Sequence, residues 1–228
     1  MRLFVIEGVD GAGKSTQIKL LRDFFSEKGY RCEYLHFPRT EAPYFGELIA
    51  RFLRGEFGTL SEVDPYLVAM LYAGDRKDAS EMIRSWLNEG KIVLLDRYTY
   101  SNIAYQCAKL KEIPEQESLM QWILTLEFTH FSIPRPDLNI FLDVPFAFTE
   151  KKLSGTRTGE DRTYLNGSRD IHEESLDFQK KVRDVYIRVS QSENELAVVN
   201  CSSSEDTMLP PDEIFNILTG ILKTRKFL

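Results

Sequence analysis

The segment Gly8-Val9-Asp10-Gly11-Ala12-Gly13-Lys14-Ser15-Thr16 limits what this chain can become more than any other stretch. It reads G-x-x-x-x-G-K-[ST], between an apolar run, Arg2 to Glu7, and a helical pattern that begins near Gln17. A strand before and a helix after make this spacing a phosphate-binding loop. Its glycines permit backbone angles that a Cβ forbids. Successive N–H groups can then point inward at a helix start and meet an anion. Gly8 to Thr16 is therefore the expected ATP-binding segment, with Lys14 reaching the β- and γ-phosphates and the Ser15 hydroxyl on Mg²⁺.

Such a loop needs an α/β frame, and the remaining sequence supplies one. Strands are expected at 31–37, 91–96, 138–143 and 196–200, short apolar runs of the kind found in buried parallel sheets. Helices are expected at 14–28, 47–54, 101–110, 114–128, 145–153, 173–190 and 212–223. Another starts at Asp64-Pro65 and runs to Leu87, with a bend near Gly74. Residues 202–211 read as a linker. Residues 154–170 are polar, carry Arg157, Arg162 and Arg169, and lack apolar periodicity, so they read as a mobile lid. The expected fold is α/β: a five-stranded parallel sheet with helices on both faces, a three-layer α/β/α domain spanning 1–228 with an Arg-bearing lid. Ligands bind such sheets at the carboxyl ends of the strands. That rule gathers Asp10, Pro38, Arg39, Asp96, Arg97 and Asp143.

The 228 residues are 43% hydrophobic and 28% charged, enough for a core and a soluble surface. No run approaches the ~18 apolar residues of a membrane helix, and Arg2 opens the first strand, so neither a membrane nor a leader is expected. Cys32, Cys107 and Cys201 are scattered, as in a reducing cytoplasm, and suggest neither a disulfide framework nor a metal cluster. A net charge of -6 weighs against a nucleic-acid partner.

A phosphate loop alone does not separate kinases from GTPases or motor ATPases. The guanine-reading [NT]-K-x-D motif is absent from the chain. Arg39, Arg76 and Arg97 fall on the carboxyl side of the expected sheet. Guanidinium groups bind a phosphate dianion bidentately, so these residues suggest a kinase with an anionic acceptor. The alternative from another class is a P-loop switch protein that hydrolyses nucleotide slowly.

The segments FVIEGVDGAGKST (4–16), FPRTE (37–41), GDR (74–76), LLDRYTYSNIAYQ (94–106) and PRPDLNIFLDV (134–144) resemble the thymidylate kinase family, within the P-loop nucleoside-monophosphate kinases. The resemblance covers nearly the whole chain and implies transfer of the ATP γ-phosphate to dTMP with Mg²⁺, in a homodimer; the runner-up is a relative acting on another pyrimidine nucleotide or a deoxynucleoside. It implies that Asp10 accepts from the acceptor's 3′-hydroxyl, and that Arg39 and Arg97 hold its phosphate. Tyr72 would stack on thymine, Arg76 would donate to a base carbonyl, Asn102 would read the base edge, and Tyr105 would crowd the 2′ position. Phe37, Pro38, Ser101 and Gln106 complete the implied acceptor pocket. Asp96 has two readings, one beside the metal with Ser15 and one locking Arg97 or the loop hydroxyls. Gly11 resembles the branch that takes its catalytic cation from the lid, which points to Arg157 and Arg162.

Overall fold

In the computed structural model, described for residues 2–154, 164–165, 170–172, 175–204 and 206–227, β1 (Arg2–Glu7) is the middle strand. It lies between β3 (Ile92–Asp96) and β4 (Leu138–Asp143), with β2 (Cys32–His36) and β5 (Leu196–Asn200) at the edges. All four pairings are parallel, with Ile6 opposite Asp96 and Ile140. The strands end together, so the loops after β1, β2 and β3 share one edge.

Side chains alternate across the sheet. Leu3 and Val5 pack with Ala79 and Ile83 of α3 (Pro65–Asn88). Phe4 and Ile6 join a larger cluster that contains Ile18, Leu21 and Phe25 of α1 (Lys14–Glu27) and Ile214 and Leu218 of α8 (Pro211–Thr224). The same cluster takes in α4 (Thr99–Cys107), α5 (Ile113–Leu124) and α7 (Leu176–Ser192). The remaining α-helices among the described residues are α2 (Phe45–Leu53) and α6 (Phe146–Ser154).

Several expectations shift. The helix expected from Asp64-Pro65 runs through Gly74 without interruption as α3, started by Asp64, whose side chain accepts from the Tyr66 and Leu67 N–H groups. Gly74 serves a close approach. A Cβ there would lie 2.3 Å from the Phe45 ring, so only glycine lets α2 pack on α3. The helix expected at 114–128 passes into a π-helical turn, Thr125–His130, and the expected linker 202–211 contains a hairpin, β6 (Ser202–Ser204) with β7 (Thr207–Met208). The lid arginines Arg157 and Arg162 lie outside the described residues.

Candidate active site

The loop after β1 takes the conformation its composition demands. Gly11 and Gly13 have φ of 78° and 81°, angles that favour glycine. Gly13 is the N-cap of α1, so Lys14 is its first residue. Lys14 is buried. Its Nζ donates to the Val9 carbonyl at 3.3 Å and lies 4.0 Å from Asp96 Oδ1. Burial, followed by the charge of Arg97, pulls its pKa down to about 8.

Arg97 follows β3 in an unusual backbone, with φ of 68°, the kind of strain that collects at functional sites. Its N–H donates to the Ile6 carbonyl at 3.0 Å, which fixes it against β1. Its guanidinium donates to Asp10 Oδ1 at 2.7 Å, to Tyr105 OH at 3.2 Å and to Ser101 Oγ at 3.2 Å. Asp10 also accepts from Tyr105 OH at 2.8 Å and from Gln179 Nε2 at 3.0 Å. Burial alone would raise the Asp10 pKa. The Arg97 and Lys14 charges and the Tyr105 hydroxyl outweigh it and hold the carboxyl well below its usual range.

Asp96 makes its ion contacts with Lys14 and with His36 Nδ1, the latter at 3.4 Å. Its buried Oδ1 has no hydrogen-bond partner. Arg39 is held by Asp75: its Nε donates to Oδ1 at 2.8 Å and its Nη2 to the backbone carbonyl at 2.9 Å. Arg76, 1% exposed, donates through Nε and Nη2 to the two oxygens of Glu127, each at 2.6 Å. Glu127 also accepts from Thr99 Oγ1 at 2.9 Å and from Asn102 Nδ2 at 3.0 Å. The Asn102 and Gln106 side-chain carbonyls stay buried without donors.

These groups share one cavity of about 630 Å³. It is lined by Asp10, Lys14, Ser15, Phe37, Pro38, Arg39, Tyr72, Arg76, Asp96, Arg97, Ser101, Asn102, Tyr105 and Gln106. Every residue expected in the acceptor pocket is there, facing the same space as Lys14. Tyr164 and Asp170 also line it, joined by a 2.7 Å hydrogen bond.

Sequence reasoning missed the groups that hold this arrangement. Glu7 is fully buried. It accepts from the Tyr98 and Ser101 N–H groups at 3.1 and 3.3 Å, which caps α4, and from the Ser101 and Tyr186 hydroxyls. Burial raises its pKa, and the Ser101 hydrogen bond and the Arg97 charge only partly offset this. An acid closing the apolar run of β1 was the available signal. Glu127 gave none, because an α-helical period loses its phase across a π turn.

A glycine-rich loop opening α1, with a second set of guanidinium groups across one cleft at the strand ends, defines a P-loop nucleotide kinase. Residues 6–209 match the family model described as thymidylate kinase. The chain is 35% identical over 204 residues to the "Probable thymidylate kinase" of Pyrococcus horikoshii, covering 88% of each. It is 33% identical over 189 residues to the thymidylate kinase of Mycobacterium tuberculosis, covering 82% of this chain and 85% of that one. The solved thymidylate kinase of Candida albicans superposes with a TM-score of 0.71 at 25% identity, over 99% of this chain and 92% of that one. The chain belongs to the thymidylate kinase family, whose members take phosphate from ATP. Among the described residues no helix is long and apolar enough to cross a membrane, and no three His, Cys, Asp or Glu side chains cluster as metal ligands.

Proposed function

We propose that residues 1–228 work as one kinase domain that transfers the ATP γ-phosphate to dTMP, giving dTDP and ADP. The observation that carries this reading is the shared cleft. Lys14 and Ser15 of the loop line it together with Arg39 and Arg97, and Asp10 of the same loop is joined to Arg97 at 2.7 Å. The donor's phosphates lie on the loop from Gly8 to Thr16, and the acceptor's phosphate lies on the two arginines. The acceptor is already an anion, so no strong general base is needed, and positioning with charge neutralisation supplies the rate. Arg157 and Arg162 add cationic charge from the lid. On the acceptor side Tyr72 stacks on the base, Arg76 and Asn102 read its edge, and Tyr105 stands at the 2′ position. Asp10 orients Arg97 and accepts from the 3′-hydroxyl.

Mg²⁺ fits the donor side. Ser15 and Asp96, whose buried Oδ1 has no hydrogen-bond partner, line the cleft with Lys14. Few protein ligands are needed, because Mg²⁺ keeps water and phosphate oxygens around it. When bound, it neutralises phosphate charge.

Leu67, Met70 and Trp122 are exposed on α3 and α5 and suit a homodimer contact. No nucleic-acid or membrane partner is proposed, and the enzyme works in the cytoplasm. An ADP-release assay across dTMP, dUMP, UMP, dCMP, AMP and thymidine tests the function. Preference for dTMP supports it, and equal rates with AMP refute base recognition. The Candida relative is described as having broad substrate specificity, so turnover of a second pyrimidine deoxynucleotide is the other reading.

A further inference from the structure

Gln179 stands on α7, 1% exposed, and gives its whole amide to two other segments. Its Oε1 accepts from the Asp10 N–H at 3.3 Å. Its Nε2 donates to Asp10 Oδ2 at 3.0 Å and to the His172 carbonyl at 2.9 Å. The amide can face only one way, because its nitrogen meets two acceptors and its oxygen meets a donor. One side chain therefore grips both the backbone and the carboxylate of Asp10, and ties them to the chain just before α7. The His172 ring packs on Tyr105, with centroids 4.9 Å apart, and Tyr105 OH is itself a donor to Asp10.

We propose that Gln179 is a positioning residue for phosphoryl transfer. It fixes the Asp10 carboxylate in the orientation that aims Arg97 into the cleft, and links that orientation to the seating of the chain before α7. The inference rests on the Asp10–Arg97 reading given above. A carboxylate has a soft terminal torsion, so Arg97 and Tyr105 alone leave Asp10 room to rotate and carry Arg97 with it. Small misplacements of a phosphate-gripping group cost up to about 10²-fold in rate.

Two variants test this. Gln179→Met keeps the bulk and loses all three hydrogen bonds. Gln179→Glu can still accept from the Asp10 N–H, but must carry a proton to donate toward Asp10 Oδ2 or the His172 carbonyl. That position is faced by the Asp10 carboxylate and the Arg97 and Lys14 cations, with Tyr105 and His172 alongside. The expected result is a kcat roughly 10- to 100-fold below wild type for Gln179→Met at every pH, with KM changed much less. Gln179→Glu should be as slow near pH 8 and recover toward wild type as pH falls, because protonation restores a donor. Each assay is run below the variant's melting temperature.

Wild-type kcat and pH profile in Gln179→Glu overturn the inference. So does a loss that only follows the folded fraction at each pH. Asp10→Asn separates the two levels. If it is crippled while both Gln179 variants are normal, the positioning role alone fails. If Asp10→Asn has normal kinetics, the site reading fails and the inference with it.

Discussion

Lys109, just past the end of α4, is the clearest place to measure what this fold tolerates. Its Nζ is buried with no hydrogen-bond partner and sits 4.7 Å from the centre of the Phe52 ring. Burial, only partly offset by Asp64, lowers its pKa from 10.5 to about 7. In the unfolded chain this lysine keeps its ordinary value, so the folded state holds the proton less tightly. The cost is fully present below about pH 7, and it is relieved as pH rises from there toward the unfolded pKa. At ~1.4 kcal/mol for each tenfold change in proton affinity, the upper bound is about 5 kcal/mol. The lost cation–π contact takes back roughly 1 kcal/mol. Lys109→Met keeps the unbranched stem and removes the charge. It should therefore stabilise the protein by about 2 to 4 kcal/mol near pH 6, a rise in Tm of several degrees for a chain of this size. Urea unfolding of both proteins from about pH 6 to about pH 10 is the assay. The advantage should shrink steadily as pH rises. A variant no more stable than wild type near pH 6, or an advantage that does not change with pH, would refute the burial account. Lys109 does not line the cleft; its charge reaches it only through His172, so the stability change is the direct readout.

Lys14→Met should abolish turnover, and Arg97→Ala should lower kcat/KM for dTMP by about 10²-fold or more. Intact dTMP kinetics in Arg97→Ala would remove that residue from the site. Glu127→Gln strips the buried Arg76 of its counter-charge and should cost about 3–5 kcal/mol, with a raised KM for dTMP; thermal melts and steady-state kinetics read both. Gly74→Ala drives a Cβ into Phe45 and should destabilise by roughly 1–3 kcal/mol. Phe45→Leu should restore most of that loss in the double variant, and a failure to do so would place the strain elsewhere.

The phosphate loop, the five strands and the strand-end residues Asp10, Arg39, Asp96 and Arg97 were legible because each is governed by local rules, whereas Tyr72, Asn102, Tyr105 and Gln106 were indicated only by the resemblance to the family. A positive φ needs glycine, a buried parallel strand needs an apolar run, and a turn into a helix exposes N–H groups wherever it occurs. Parallel topology then brings strand ends together, so Asp10, Arg39 and Arg97 could be placed on one edge without coordinates. Other decisions depended on partners far away in the chain. Gly74 is small because Phe45 arrives from α2. Glu7 and Glu127 became the anchors of α4 and Arg76 because burial takes water away and leaves a charged group dependent on the partners the fold brings to it. Gln179 reaches Asp10 across 169 positions of sequence. Local patterns show which residue types can occupy a position, whereas hydrogen bonds between buried groups form only where packing puts two distant segments within about 3 Å of each other.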